Sequence, residues 1–312
     1  MRSLQSRITD FLSVLALVLL LASCERDFDI DLGNVQPRLI VEGYINNHNP
    51  LYNYVVLGKS KNYFDSGFAN EAVTGAIVTI TEGTLLADNS YSWDRSTTSR
   101  LREIRIPEVS EALLPGVYFD TRLVTDPLNA LQGKVGKHYL LEMEVEGKQY
   151  SSVTQILPLV PVDSVTSGFH SFDDGDPNKP KARLTVNYQD PDTLGDAQMY
   201  FWRTSENRIS FGWGALGADR FSDGTDDLVN GQYIRLTHFN RFVVGDTVQY
   251  YKASVERKVY NFWDSYNKAR RNGGPFSTPV ELLNTISGEN VTGCFSGFSI
   301  SMQTVVVKAE ND

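Results

Sequence analysis

The sequence predicts a mainly β protein made of two antiparallel β domains, the second carrying one amphipathic helix, and three observations lead there. From Arg38 onward, short runs rich in Val, Ile, Tyr and Thr alternate with Gly, Asn, Asp and Pro, as short strands joined by turns do. Leu140 to Val153 alternates apolar and polar residues on both sides of Gly147 and reads as a hairpin. One stretch alone, Val259, Phe262, Trp263, Tyr266 and Ala269, changes to the three- and four-residue steps of a helix.

Taken in chain order, residues 1–23 read as a leader. Arg2 and Arg7 precede an apolar run from Phe11 to Ala22, which is shorter than the roughly 20 apolar residues of a membrane span. The run ends in Leu21-Ala22-Ser23-Cys24, which resembles the bacterial lipobox. Small residues before the cleaved bond admit a signal peptidase, and the Cys24 thiol accepts diacylglycerol. Several acyl chains on one residue hold a protein stably on a bilayer without crossing it. The competing reading is an ordinary secretory leader with an incidental cysteine.

Residues 24–36 follow as an acidic tether. Glu25, Asp27, Asp29 and Asp31 carry its charge, and the stretch has no apolar period to bury. It resembles the acidic surface-export signal found after the lipidated cysteine in Bacteroidota. An EF-hand reading of Asp27, Asp29 and Asp31 fails, because the glycine stands at Gly33 and Arg38 occupies the place of the bidentate glutamate.

Residues 37–157 form the expected N-terminal β-sandwich domain. Its strands are Arg38 to Ile45, Tyr54 to Leu57, Ala76 to Thr81, Val117 to Leu123, Tyr139 to Val145 and Tyr150 to Ile156. Leu157-Pro158-Leu159-Val160-Pro161-Val162 reads as a stiff connector, since two prolines this close do not fit a central strand. The C-terminal domain, 158–312, holds strands at Ser164 to Phe169, Ala182 to Tyr188, Gln198 to Thr204, Tyr233 to Thr237 and Thr247 to Val255, with a final pair within Cys294 to Val307. Its helix lies near 256–271, with Arg270-Arg271 before Asn272-Gly273-Gly274 as a cationic, glycine-marked end. The aromatic face of that helix is expected against a sheet.

Composition narrows function. The net charge of −9 and the absence of a basic block argue against nucleic acid as a partner. There are two cysteines; with Cys24 committed to lipid, Cys294 is left alone and no disulfide framework forms. Cys294 is expected to pack as a small hydrophobe inside a strand. His48, His138, His170 and His238 are far apart in sequence and none has a histidine at ligand spacing. No nucleophile-elbow, zincin, P-loop or dinucleotide motif appears, so no catalytic residue is named and the chain is expected not to be an enzyme. No cofactor is expected either, although two acidic loops, Asp173 to Asp176 and Asp223 to Asp227, have the composition of calcium loops as well as of solvated turns. For a ligand, the candidate is Trp213, set among glycines in Phe211 to Gly217, where it is free to stack on a sugar, plug the core or meet a partner.

The order of features carries a family resemblance. After the lipobox and tether come Arg38-Leu39-Ile40-Val41-Glu42-Gly43-Tyr44-Ile45, then Val73 to Ile80, Gly136-Lys137-His138-Tyr139, Pro158 to Val165, and the helix from Val259 to Tyr266. This is similar to the Bacteroidota lipoprotein family called domain of unknown function (DUF) 4249, over nearly the whole mature chain. The resemblance implies an outer-membrane lipoprotein, commonly associated with a SusC-like TonB-dependent receptor and nutrient uptake. It implies no catalytic residues. The Gly75-Ala76 run and the hairpin are also similar to an immunoglobulin-like or carboxypeptidase-regulatory-like sandwich. Asp163-Ser164-Val165, Asp192-Thr193-Leu194 and Asp246-Thr247-Val248 each resemble the Bacteroidota O-glycosylation site, marking Ser164, Thr193 and Thr247; an ordinary turn-to-strand boundary has the same composition.

The expected function is a lipid-anchored, cell-surface protein of the outer membrane, acting as a non-enzymatic accessory or ligand-capturing partner of a SusC-like TonB-dependent transporter. A structural or adhesive surface lipoprotein is the alternative, and a hydrolase ranks behind both. Ligand, receptor and oligomeric state are left open by the sequence.

Overall fold

The structure, a computed structural model, describes residues 36–60, 71–107, 110, 112–169, 180–204, 222–225, 230–272, 278 and 280–308. Strands dominate: β1 (Leu39–Asn46), β2 (Tyr54–Lys59), β3 (Glu71–Ala72), β4 (Ile77–Leu85), β5 (Tyr91–Trp93), β6 (Ser99–Arg102), β7 (Val117–Asp120), β8 (His138–Val145) and β9 (Lys148–Gln155). They continue with β10 (Ser164–Phe169), β11 (Lys181–Gln189), β12 (Asp196–Thr204), β13 (Ser222–Thr225), β14 (Tyr233–Val243), β15 (Thr247–Glu256) and β16 (Val291–Val306). Among the described residues two α-helices join them, a single turn α1 (Arg122–Thr125) and the longer α2 (Arg257–Arg271). The protein is thus mainly β with more than one sheet and few helices.

Hydrogen bonding runs through one large sheet in the order β13-β12-β15-β16-β1-β2-β7-β6-β4-β8-β9, and through a separate sheet β10-β11-β14. The hairpin forms at the expected place. Glu146 and Gly147 both have positive φ, 52° and 77°, as a two-residue turn matched to strand twist requires, and β8 pairs with β9 from Val145↔Lys148 to His138↔Gln155.

Pro37–Asp312 forms one compact unit, so the division expected at 157/158 falls inside it. The reason is β16. Its first half pairs in parallel with β1, Leu39↔Val291 to Asn46↔Phe298, and its second half pairs antiparallel with β15, Ser299↔Ser254 to Val306↔Thr247. Strands from both sides of residue 157 therefore share one sheet. The final pair of strands expected within Cys294 to Val307 is one 16-residue strand, because Gly297 serves not as a turn but as a close approach to Gln155. The expected strand from Val117 to Leu123 likewise stops at Asp120. Its carboxylate accepts from the Arg122 amide at 3.0 Å and the Leu131 amide at 2.7 Å, and these bonds turn the chain into α1.

Three apolar clusters fill the layers. One lies inside the curl of β1, β2, β7, β4, β8 and β9, around Val41, Val55, Ile80, Tyr118, Leu141 and Phe295. A second gathers Tyr44, Tyr54, Phe119, Phe201, Phe298 and the buried face of α2. That face is Val259, Phe262 and Trp263, against a sheet as expected; Trp263 stacks 6.2 Å from Tyr44 and donates Nε1–H to Ser296 Oγ at 3.0 Å. Burial of each such side chain contributes about 1.5–3 kcal/mol. The third lies between β10-β11-β14 and the opposite face of β12-β15.

A clamp ties β9 to the start of α2. The Glu256 carboxylate accepts from Thr154 Oγ1 at 2.9 Å and from the Gln155 amide at 2.8 Å, and pairs with Lys258 at 3.1 Å. Lys258 Nζ in turn donates to the Val153 carbonyl at 2.8 Å. Glu256→Ala leaves two donors without their acceptor and is expected to destabilise the fold by about 1–3 kcal/mol, with Glu256→Gln recovering much of the loss. Urea midpoints measure both; an unchanged midpoint for the alanine variant would refute the clamp.

Candidate functional site

The densest set of perturbed titratable groups lies between the two sheets, and strand alternation puts it there. Along β15, Tyr251, Ala253 and Val255 face the α2 cluster, so Val248, Tyr250, Lys252 and Ser254 face the other way, as period two demands. On β12, Gln198, Tyr200 and Trp202 share that side; Tyr200 stands opposite Lys252 and Gln198 opposite Ser254. Tyr188 of β11 and His238 of β14 close over them.

Lys252 is the unusual member, a lysine with no exposed surface. Its Nζ donates to the Val160 carbonyl at 3.2 Å and sits 4.2 Å from the Tyr188 ring centroid. Burial pulls its amine down to about 7, against the pull of Asp196 and Asp190 upward. The Tyr188 and Tyr200 hydroxyls share a hydrogen bond of 2.7 Å. Burial pushes Tyr188 up to about 12 and Tyr200 and Tyr250 well above the usual tyrosine range. His238 Nε2 and the Tyr250 hydroxyl lie 2.6 Å apart, and burial lowers His238 to about 4. Ser254 Oγ donates to Gln198 Oε1 at 2.9 Å, and Gln198 Nε2 to Asp196 Oδ2 at 2.9 Å.

An amine this close to neutrality has the chemistry of a nucleophile, but this one is sealed. Lys252, Tyr250, Tyr200 and His238 are all buried, so a substrate enters only if the two sheets part. As built, the cluster is an interior polar joint. The sequence carries its signal in a lysine at an inward position of the alternating run from Thr247 to Val255, which sequence reasoning read as a plain strand.

The sequence-derived candidates do not converge on this joint. Cys24, Glu25, Asp27, Asp29, Asp31 and Trp213 lie outside the described residues, as does the loop Asp173 to Asp176. Of Asp223 to Asp227, only 223–225 are described, as strand β13. Thr193 and Thr247 are exposed, whereas Ser164 is half-buried and accepts from Asn187 Nδ2 at 3.0 Å. Cys294 is buried in β16, where burial pushes its thiol up to about 11. Among the described residues, no three His, Cys, Asp or Glu side chains gather as metal ligands, and no helix is long and apolar enough to cross a membrane. A cavity of about 300 Å³ opens beside β9, lined by Glu142, Gln149, Tyr150, Ser151, Ser287 and Gly288; Glu142 is already paired with Arg95 at 2.6 Å.

A family model described as a domain of unknown function (DUF4249) matches residues 25–304. The chain belongs to the DUF4249 family. The match begins at the residue after Cys24 and takes in both sheets and α2 of this DUF4249 protein. No curated protein matches it. A crystal structure of a DUF3823 family protein from Bacteroides uniformis aligns with 87% of this chain and 100% of its own, at 8% identity and a TM-score of 0.22, too low to carry an argument about fold or function.

Proposed function

We propose that the protein is a cell-surface lipoprotein, held in the outer membrane by lipid on Cys24, that serves without catalysis as an accessory or ligand-capturing partner of a SusC-like TonB-dependent transporter. The observation that carries this reading is the leader ending in Leu21-Ala22-Ser23-Cys24, joined to a DUF4249 region that starts at the next residue. The acidic run of Glu25, Asp27, Asp29 and Asp31 supports the surface address. The non-enzymatic part draws on the chemistry of the sealed groups: a thiol near 11 and an amine without access to solvent are poor reagents. The likeness of the N-terminal strands to an immunoglobulin-like or carboxypeptidase-regulatory-like sandwich belongs to the same proposal, supported by the β8–β9 hairpin and the apolar cluster it helps enclose.

Cys24→Ala is expected to release the protein from membranes into the soluble fraction, read by fractionation and by loss of labelled-palmitate incorporation. Retention of the variant in membranes would remove the anchor from the proposal. Co-purification of the lipidated protein from detergent-solubilised membranes is expected to bring down a receptor-sized companion. Its absence favours the second reading, a structural or adhesive surface lipoprotein, for which the observation is the continuous core joining residues on both sides of 157.

A further inference from the structure

The sheet β10-β11-β14 turns one face to the sealed joint and the other to solvent, and the solvent face is cationic in a chain of net charge −9. On β14, Leu236, His238 and Phe242 pack inward, so Tyr233, Arg235, Thr237, Phe239 and Arg241 point outward, as period two demands. The irregularity between Thr185↔Thr237 and Arg183↔Arg241 adds an even number of residues to β14, so both ends of the strand keep that face. On β11 the outward set is Lys181, Arg183, Thr185 and Asn187, and the exposed Thr185 and Thr237 hydroxyls meet at 2.8 Å. The cations reach one face from two strands, which is why no basic block appears in the sequence.

No aspartate or glutamate occurs in β10, β11 or β14; Asp163, Asp190 and Asp246 stand beyond the strand ends. Among the described residues, neither Arg183 nor Arg235 forms an ion pair. The Arg183 guanidinium lies 5.5 Å from the centroid of the Phe239 ring, and its buried Nε has no hydrogen-bond partner. Phe239 is 85% exposed and Tyr233 59%. Along β14 an exposed ring thus precedes each arginine, Tyr233 before Arg235 and Phe239 before Arg241.

We propose that this outer face is a second membrane contact, which docks on the phosphate layer of an anionic phospholipid bilayer and sets Phe239 at the headgroup boundary. Charge complementarity calls for an anion, and the exposed rings favour a bilayer. A soluble polyanion pairs with the arginines and leaves the Phe239 ring in water, whereas a membrane interface takes up cations and aromatic rings together. The chain itself brings such a surface near. Residues 24–36 link Cys24 to Pro37 and span at most about 45 Å, so lipid on Cys24 holds the unit beside a bilayer at high effective concentration. The inference rests on that anchored reading and adds an orientation to it: lipid at one residue does not decide which side of a protein faces the membrane, and a charged face does. The net negative charge of the chain opposes other orientations and makes the contact salt-dependent.

The chain from residue 24 onward, with Cys24→Ala so that no lipid holds it, carries the whole compact unit Pro37–Asp312 and is tested by cosedimentation with vesicles. Vesicles of phosphatidylglycerol and phosphatidylcholine in equal parts are expected to bind it at low salt, and vesicles of phosphatidylcholine alone to leave it in solution. Salt of about 0.5 M should weaken binding at least about tenfold. Arg235→Gln is expected to lower affinity about fivefold, and Arg183→Gln with Arg235→Gln about 25-fold. Phe239→Ala should lower it at least about threefold while Phe239→Leu stays within about twofold of the parent, because insertion uses apolar area and not an aromatic stack. Thermal unfolding verifies that each variant is folded. Equal binding to phosphatidylcholine, no binding to phosphatidylglycerol, undiminished binding by the folded double variant, or capture of soluble polygalacturonate in place of vesicles would each overturn the proposal. The protein in this test carries no lipid, so its failure leaves the anchor standing, and loss of the anchor leaves this binding measurable.

Discussion

Lys252→Met is expected to raise the unfolding temperature at neutral pH and to remove part of the pH dependence of stability on the alkaline side. The sign follows from the shift. Lys252 has a folded value of about 7 against 10.5 for a free lysine, so between those two values the unfolded chain holds a proton that the folded chain lacks. Stability therefore rises with pH across that window, with a slope of up to about 1.4 kcal/mol per pH unit. Below about 7 both states are protonated, and the full penalty of the buried ammonium is present.

Methionine fills nearly the same volume without a charge. The variant loses the bond to Val160 and the contact with Tyr188, at about 1 kcal/mol. Replacing buried charge by a packed apolar side chain more than offsets this, for a net gain of about 1–3 kcal/mol. The groups that face Lys252, Tyr188 and Tyr200 with Asp190 and Asp196 beyond them, stay in place. Cys294 and the buried tyrosines titrate alike in both proteins, so the difference between parent and variant isolates residue 252. Urea unfolding at several values from pH 7.5 to 9.5 reads the effect, and identical slopes for the two proteins would show that Lys252 is not held as described.

Gly293→Ala and Gly297→Ala should each be far more damaging. A Cβ at Gly293 would overlap the Val41 carbonyl oxygen, and one at Gly297 the Gln155 carbonyl oxygen. In both cases the obstacle is backbone, which a rotamer change cannot relieve. At Gly293 the methyl group forces β16 off β1, breaking the parallel pairing that joins residues 39–46 to 291–298. At Gly297 it displaces β9 and the Gly297 amide, which donates to Thr154 Oγ1 at 2.9 Å. Each substitution is expected to destabilise by at least about 3 kcal/mol and to leave much of the protein insoluble. Gly168→Ala in β10 is the comparison: nothing lies within 4 Å of its added Cβ, so its effect should stay within about 1 kcal/mol. A soluble Gly293→Ala protein with the parent urea midpoint would contradict the β1–β16 approach.

These two glycines also show where the sequence stops being readable. In Val291-Thr292-Gly293-Cys294-Phe295-Ser296-Gly297-Phe298, an apolar strand interior around Cys294 is legible, and the thiol is indeed buried. That the glycines exist for close backbone approach is not legible, because the approaching carbonyls belong to Val41 and Gln155, far away in the chain. The same holds for the candidate site. Lys252 lies at an inward position of a strand that alternation identifies, yet Tyr188, Val160 and His238 meet it only through the packing of a second sheet.

By itself the sequence determines what repeats over a few residues: the alternation of β8 and β9 around Gly147, the helical step from Val259 to Ala269, the apolar run from Phe11 to Ala22 ahead of Cys24, and membership of DUF4249. Only the tertiary structure decides that β16 runs unbroken between β15 and β1, that residues on both sides of 157 share one unit, and that a lysine is sealed between two sheets. The physical reason is range. Periodicity and turn chemistry act between near neighbours in the chain, whereas strand partners such as Leu39 and Val291 are selected by the burial of whole faces, which depends on every element at once.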